Sequence, residues 1–252
     1  VIENVPSVSM EQELKTRLLG EAKFLRALFY FDLVRAFGNI PKTTESTPPR
    51  KLTQSPKEEI YSDIIIPDLL SSINDLPEKG EYPTTEAGRA TKGAAKSLLA
   101  KVYLFQNDFV NAEKYAMEVI ASAQYDLELN LSDAFSLEGQ FGVESVFELG
   151  AEANSGGSQF ANTQGVRGTP NRGWGFNRPS MELINFFEAG DVRKDATVIF
   201  LGETIDGVLI EGDASTQDII YANPPANTIV KEMETYNQKI WVPGTGTLEK
   251  FG

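Results

Sequence analysis

Residues 9–41 read SMEQELKTRLLGEAKFLRALFYFDLVRAFGNIP, and the reading of this stretch decides the fold. Ser9 with Gln12 three residues on has the pattern of a capping box, and Gly38 with Pro41 supplies a stop, so the spacing predicts one helix from Ser9 to Phe37. Leu14, Leu18, Leu25, Leu28, Phe29 and Leu33 form one apolar face, while Phe24, Tyr30, Phe31, Val34 and Phe37 carry apolar surface round to a second. A helix apolar on two sides is expected to lie between neighbours. At helical spacing, Phe24, Phe29, Phe31 and Phe37 read as core and not as a binding stripe.

C-terminal to this helix a second is expected from Ser55, with Pro56 at its first position and Glu58 at its third. It runs past Ile60, Ile64, Ile65, Leu69 and Ile73, with a kink at Pro67, which lacks the amide hydrogen and crowds the carbonyl four residues earlier. Thr91–Gln106 and Phe109–Ala123 read as a helical hairpin turning at Asn107 and Asp108. Leu99, Ala100 and Tyr103, then Ala112 and Ala116, have the tetratricopeptide spacing, in which small residues admit close helix approach and a tyrosine fills the gap. The closing proline is missing and no 34-residue period recurs, so one good repeat is expected with degenerate neighbours.

Beyond Tyr125 the helical periodicity fades. Ser145–Leu149 reads as a short strand, Ala153–Asn177 as a long loop, Pro179–Glu188 as a returning helix, and Thr197–Leu201 and Ile240–Val242 as further strands. The expected fold class is mainly α: a tetratricopeptide-like helical scaffold over residues 1–128, and over 129–252 an irregular, loop-rich part of the same domain with a few short strands. Loops as long as 153–177 are uncommon inside compact domains and are often functional.

The chain has 252 residues, 41% of them hydrophobic, enough to bury a core without disulfides or metals. A formal net charge of −13 excludes a nucleic-acid partner, since neutralising phosphates takes a basic stripe that the sequence lacks. Cysteine and histidine are both absent, which removes Ser-His-Asp triads, thiol nucleophiles and thiolate or imidazole metal sites at once. No apolar run approaches the roughly 20 residues of a spanning helix. Carboxylates remain the main candidates for acid–base work, but close pairs such as Glu58 and Glu59 are expected by chance among 36 acids, and no catalytic residue, cofactor or metal is assigned. Gly88–Gly93 has phosphate-loop glycine spacing, but Ala94 and Ala95 stand where Lys and Ser or Thr are needed. Asp191, Arg193 and Asp195 read as a local ion-pair turn lacking the ligand set of a calcium loop.

The segment GVRGTPNRGWGFN, residues 165–177, carries the chemistry of a ligand site. Sugar recognition uses an aromatic face against the C–H face of the ring, with planar Arg, Asn or Gln groups for paired hydroxyl contacts. Trp174 and Phe176 supply the first, and Arg167, Asn171, Arg172 and Asn177 the second. Trp241, in an expected strand, reads as core, and Tyr221 is a further aromatic in irregular context.

Three segments together resemble the SusD/RagB family of bacterial outer-membrane nutrient-binding lipoproteins: GEAKFLRALFYFDLVRAFGNIP from Gly20, GRATKGAAKSLLAKVYLF from Gly88 and NRPSMELINFFEAGDVRKDATV from Asn177. The resemblance implies a tetratricopeptide-like scaffold with a less regular binding region, a non-enzymatic role, and a place on the cell surface at the outer membrane. It further implies capture of an oligosaccharide or peptide nutrient and delivery to a SusC/RagA-type TonB-dependent transporter. A peptide- or helix-binding tetratricopeptide scaffold is the alternative. The family's lipidated N-terminal Cys, its only membrane attachment, is absent from this sequence, as is a later helix bearing Arg-x-x-Asp followed by Ala-Glu-Ala. The chain is therefore expected to be an internal portion of a longer protein, with part of the site beyond it.

Overall fold

The computed structural model describes residues 1–136, 139–150, 159–212, 220–223, 228–231 and 235–241, with backbone alone for 159–161, 220–223 and 228–231. The chain is mainly α, with short strands, and divides into two compact units. The first comprises Val1–Leu127 and Val143–Glu148, the second Glu128–Gly142 and Leu149–Gly252.

In the first unit α1 spans Gln12–Phe37. Its cap is Glu11 and not Ser9: the Glu11 carboxylate accepts from the amides of Glu13 (3.0 Å) and Leu14 (2.8 Å), so a negative group meets the positive helix end. Gly38, at φ 72°, ends the helix by donating its amide to the Val34 carbonyl. The expectation of two buried faces is corrected. Phe24, Ala27, Tyr30, Phe31 and Val34 are buried, whereas Leu25, Phe29, Leu33 and Phe37, four residues apart in turn, are exposed. The buried positions recur at three- and four-residue steps, which is one stripe of a helix and not two.

After a two-stranded ladder, β1 (Ile40–Pro41) with β2 (Gln54–Ser55), the next helical stretch starts at α2 (Lys57–Ile60) and resumes as α3 (Ile66–Asp75). Pro56 occupies the N-cap position and Asn39 Oδ1 accepts the Lys57 amide, in place of the expected Ser55 cap. Pro67 falls in the first turn of α3, and a π turn at Tyr61–Ile65 precedes it, in which the Ile66 amide reaches back to the Tyr61 carbonyl. A wider turn relieves the clash between a proline ring and the carbonyl four residues back, so the expected kink takes the form of a π bulge. Gly20 lets α1 and α3 approach closely: a Cβ there would lie 2.9 Å from Asp75 Cβ, and Ser72 Oγ donates to the Gly20 carbonyl at 3.0 Å. Beside it the buried Asp68 carboxylate accepts two bonds from Arg26, at 2.6 and 2.8 Å.

The hairpin forms as α4 (Lys92–Phe105), capped by Thr91, and α5 (Phe109–Ala121), capped by Asp108. Tyr103 and Tyr115 stack across it at 5.9 Å, and Ala112 is buried while Ala116 is exposed. Leu69, Ile65, Leu98, Leu99 and Val102 join Phe24 and Phe31 in the core. Each such side chain contributes about 1.5–3 kcal/mol by leaving water. Ser145–Leu149 is not a strand. Val146 and Phe147 instead pack on this core, with Phe147 edge-on to Phe24 at 4.9 Å.

The second unit holds α6 (Gln159–Gln164), α7 (Met181–Phe186) and antiparallel pairs β3 (Val198–Phe200) with β8 (Thr235–Asn237), β4 (Thr204–Ile205) with β5 (Val208–Leu209), and β6 (Ile220–Asn223) with β7 (Thr228–Lys231). Its core gathers Val166, Ile199, Ile210, Tyr236 and Trp241. The presence of α6 corrects the uninterrupted loop expected at 153–177, of which 153–158 lie outside the described residues. The expected strand at 240–242 is also displaced: β8 lies five residues earlier, Gln238–Ile240 form a 3₁₀ turn, and Val242 lies outside the described residues. Tyr221 falls within β6.

Candidate functional site

The GVRGTPNRGWGFN segment folds back on the end of α6 by backbone hydrogen bonds. The amides of Arg172, Trp174, Gly175 and Phe176 donate to the carbonyls of Val166 (2.8 Å), Asn162 (2.9 Å), Gly165 (3.0 Å) and Thr163 (3.0 Å). Glycine makes this possible. A Cβ on Gly173 would lie 2.6 Å from the Gly165 nitrogen and 2.8 Å from the Asn162 oxygen, and Gly175 adopts φ 71°. At its other end the loop is tied by Thr169, whose amide donates to the Gly212 carbonyl at 2.7 Å and whose carbonyl accepts from Gly212.

Trp174 and Phe176, separated by Gly175, project from this frame with 56% and 60% of their surfaces exposed. Their rings meet edge to face, with centroids 6.2 Å apart at 89°. Two large aromatic rings thus lie exposed side by side on a hydrogen-bonded loop. Arg167, also exposed, runs its stem past Gly175: a Cβ on Gly175 would lie 3.0 Å from Arg167 Cβ and 3.8 Å from its Cδ. The Arg167 carbonyl accepts from the hydroxyl of the buried Tyr236 at 3.0 Å, which fixes the backbone from below.

The other three polar residues have different placements. Asn171 is exposed. Asn177, at φ 54°, donates its side-chain amide to Gln164 Oε1 at 2.8 Å, an oxygen shared with Asn237 at 3.3 Å. Arg172 is buried, with its guanidinium 4.8 Å over the ring of Trp241. Trp241 in turn donates its indole N–H to Asp206 Oδ2 at 2.7 Å. Asp206 and Gly207 both take positive φ, 51° and 78°, in the two-residue turn between β4 and β5, the Asp-Gly signature of a tight hairpin. Burial pulls the Arg172 guanidinium below the ordinary arginine value, and the Asp206 carboxylate opposes that shift. The guanidinium stays charged over the ring face, with the Asp206 carboxylate favouring that charge.

Of the residues read from the sequence, the structure brings Trp174 and Phe176 together; Gln164, Tyr236 and Asp206, which bond to Asn177, the Arg167 carbonyl and Trp241, were not among them. Asp206-Gly207 was the one local signal for them. The Asp191–Arg193 turn forms as read, with Arg193 NH2 2.6 Å from Asp191 Oδ2.

Residues 1–104 match the SusD-like family described as "Starch-binding associating with outer membrane". A SusD-like protein of Bacteroides ovatus is 28% identical over 239 residues, covering 85% of this chain and 42% of that protein. SusD-like protein P2 of Formosa agariphila is 30% identical over 213 residues, covering 77% of this chain and 41% of its own. Among solved structures, surface glycan-binding protein A from Bacteroides thetaiotaomicron, in complex with laminarihexaose, superposes with a TM-score of 0.76 at 23% identity, over 100% of this chain and 55% of that one. The chain thus spans about two fifths of the length of the curated relatives it matches.

Proposed function

The chain belongs to the SusD/RagB family, and on that premise we propose that it is part of a cell-surface protein that binds an oligosaccharide without transforming it and passes it to a TonB-dependent transporter of the SusC/RagA type. In this reading the whole protein sits at the outer membrane, held by a lipid anchor. The observation that carries the reading is the exposed Trp174–Phe176 pair on its hydrogen-bonded glycine loop. A sugar laid across those rings would gain apolar contact on one face, with Arg167 and Asn171, exposed on the same loop, as the planar groups for its hydroxyls. The laminarihexaose bound by a structural neighbour supports an oligosaccharide as the class of cargo.

Isothermal calorimetry with the full-length protein and a panel of oligosaccharides that includes laminarihexaose tests this. Trp174→Ala is expected to weaken binding tenfold to a hundredfold, the range of about 1–3 kcal/mol for a central aromatic contact, with the far-UV circular dichroism unchanged. Equal affinity of wild type and variant would reject Trp174 as a platform. Copurification of the transporter with the full-length protein from outer membranes tests the delivery step. A peptide-binding scaffold is the second reading, favoured by the exposed row Leu25, Phe29, Leu33 and Phe37 on α1. It wins if peptide binding survives Trp174→Ala and no glycan binds.

A further inference from the structure

Resting on the site proposed above, we propose that Gln164 and Asn177 are the pair that reads the hydroxyls of the bound sugar. Gln164 Nε2 donates to one hydroxyl and Asn177 Oδ1 accepts from another, where the loop bearing Trp174 and Phe176 is tied to the end of α6.

The first support is a network in which side-chain amides share one oxygen. Asn177 Nδ2 donates to Gln164 Oε1 at 2.8 Å and Asn237 Nδ2 donates to it at 3.3 Å, while Asn237 Oδ1 accepts the Lys239 backbone amide at 3.1 Å. That last bond fixes which way every amide points. A backbone N–H only donates, so Asn237 turns its oxygen to Lys239 and its NH2 to Gln164. Gln164 must then show its oxygen to both asparagines, and Asn177 must show its NH2 to Gln164. With both lone pairs of Gln164 Oε1 in use, the groups left over are Gln164 Nε2, a donor, and Asn177 Oδ1, an acceptor. Among the described residues neither makes a hydrogen bond.

The second support is position. The Phe176 amide donates to the Thr163 carbonyl, and Asn177 and Gln164, whose side chains meet, are the residues that follow those two. Consecutive Cα atoms lie about 3.8 Å apart, so the amide pair is rooted one residue from the exposed Phe176. Asn177 is itself exposed and Gln164 half-buried. A hydroxyl both donates and accepts, so a donor and an acceptor held in fixed orientation suit two neighbouring hydroxyls, and holding them beforehand spares the cost of ordering them on binding. The left-handed φ of 54° at Asn177 accounts for Asn or Gly at that position, but not for a side-chain amide locked to Gln164.

The experiment is calorimetry of the full-length protein with laminarihexaose, cellohexaose and maltohexaose, followed by a crystal structure with the probe that binds most tightly. For that probe, Gln164→Met, which keeps the length of the side chain and loses its amide, is expected to weaken binding roughly fivefold to a hundredfold. Asn177→Gly, which keeps the left-handed φ and loses the acceptor, is expected to do the same. Asn237→Ala leaves both ligand-facing atoms in place and loosens only their orientation, so a loss of less than about fivefold is expected. The crystal structure reads contact directly: Gln164 Nε2 and Asn177 Oδ1 are expected within about 3.2 Å of hydroxyl oxygens of the probe. Unchanged affinity in Gln164→Met or Asn177→Gly, or a sugar stacked on Trp174 and Phe176 with neither amide atom in contact, overturns the inference and leaves the oligosaccharide site standing. Binding of none of the probes, or binding away from the two rings, overturns the pair and the site together.

Discussion

At the scale of single residues, two arginines of one short segment part company. Arg167 and Arg172 read alike in the sequence, as planar groups near an aromatic pair, yet one is exposed with its stem against Gly175 and the other lies buried over Trp241. What separates them is long-range: the Asp206 turn and the Trp241 indole, 34 and 69 residues downstream of Arg172, meet it only in three dimensions. Arg172→Ala removes a desolvated cation–π contact and leaves Asp206 with less compensation, so it is expected to lower the stability of the second unit by about 1–3 kcal/mol. Urea unfolding followed by Trp241 fluorescence in a Trp174→Phe background measures this, and oligosaccharide affinity of the folded variant should change less than threefold. If affinity collapsed while the urea midpoint held, Arg172 would be a direct ligand contact.

Elements whose signals are local were legible, and those whose partners are remote were not. The extents of α1 and the α4–α5 hairpin follow from capping chemistry and three-to-four spacing within the segments themselves, and Thr91 and Asp108 cap as their side chains allow. The exposed side of α1 was misread because Leu25, Phe29 and Leu33 satisfy the same periodicity as the buried residues, and periodicity does not say what lies opposite. In the loop, glycines marked a tight backbone, but α6 was hidden because its polar residues carry no apolar repeat. The caps themselves are titratable. Hydrogen bonds from the amides of Leu14 and Glu13 hold the Glu11 carboxyl below its ordinary 4.5, and those from the side chain and amide of Asn111 hold Asp108 below 3.8. In each case the unfolded chain takes the proton first. The stabilisation is therefore complete above the ordinary carboxylate values and is lost as pH falls through the lower folded ones. Helix content is expected to be flat from pH 8 to about 5, with no histidine to titrate in that window, and to fall below about pH 4. Glu11→Gln and Asp108→Asn together should make that acid limb shallower in circular dichroism, and an unaltered limb would reject the caps as its source.

On the scale of the whole molecule, the chain leaves its helical unit at Leu127 and returns to it for six residues before leaving again. That return is a packing event. Phe147 meets Phe24 edge-on at 4.9 Å, Val146 joins the same core, Lys79 Nζ donates to the Ser145 carbonyl at 2.8 Å, and the Asp126 amide donates to the Val143 carbonyl at 3.2 Å. Phe24 is 2% exposed in this arrangement, so a helical unit cut off before residue 143 would open one side of its own core. Burying a phenylalanine contributes about 1.5–3 kcal/mol and an aromatic pair about 0.5–1.5 kcal/mol more, so a fragment of residues 1–148 is expected to exceed one of residues 1–127 by about 2–4 kcal/mol in urea. Phe147→Ala in the longer fragment should forfeit most of that difference, because the ring and not the added chain length supplies it. Coincident urea midpoints for the two fragments would mean that the helices close their core without the returning segment. In that case 143–148 would have to be counted with the loop-rich unit, and the scaffold would be complete at α5.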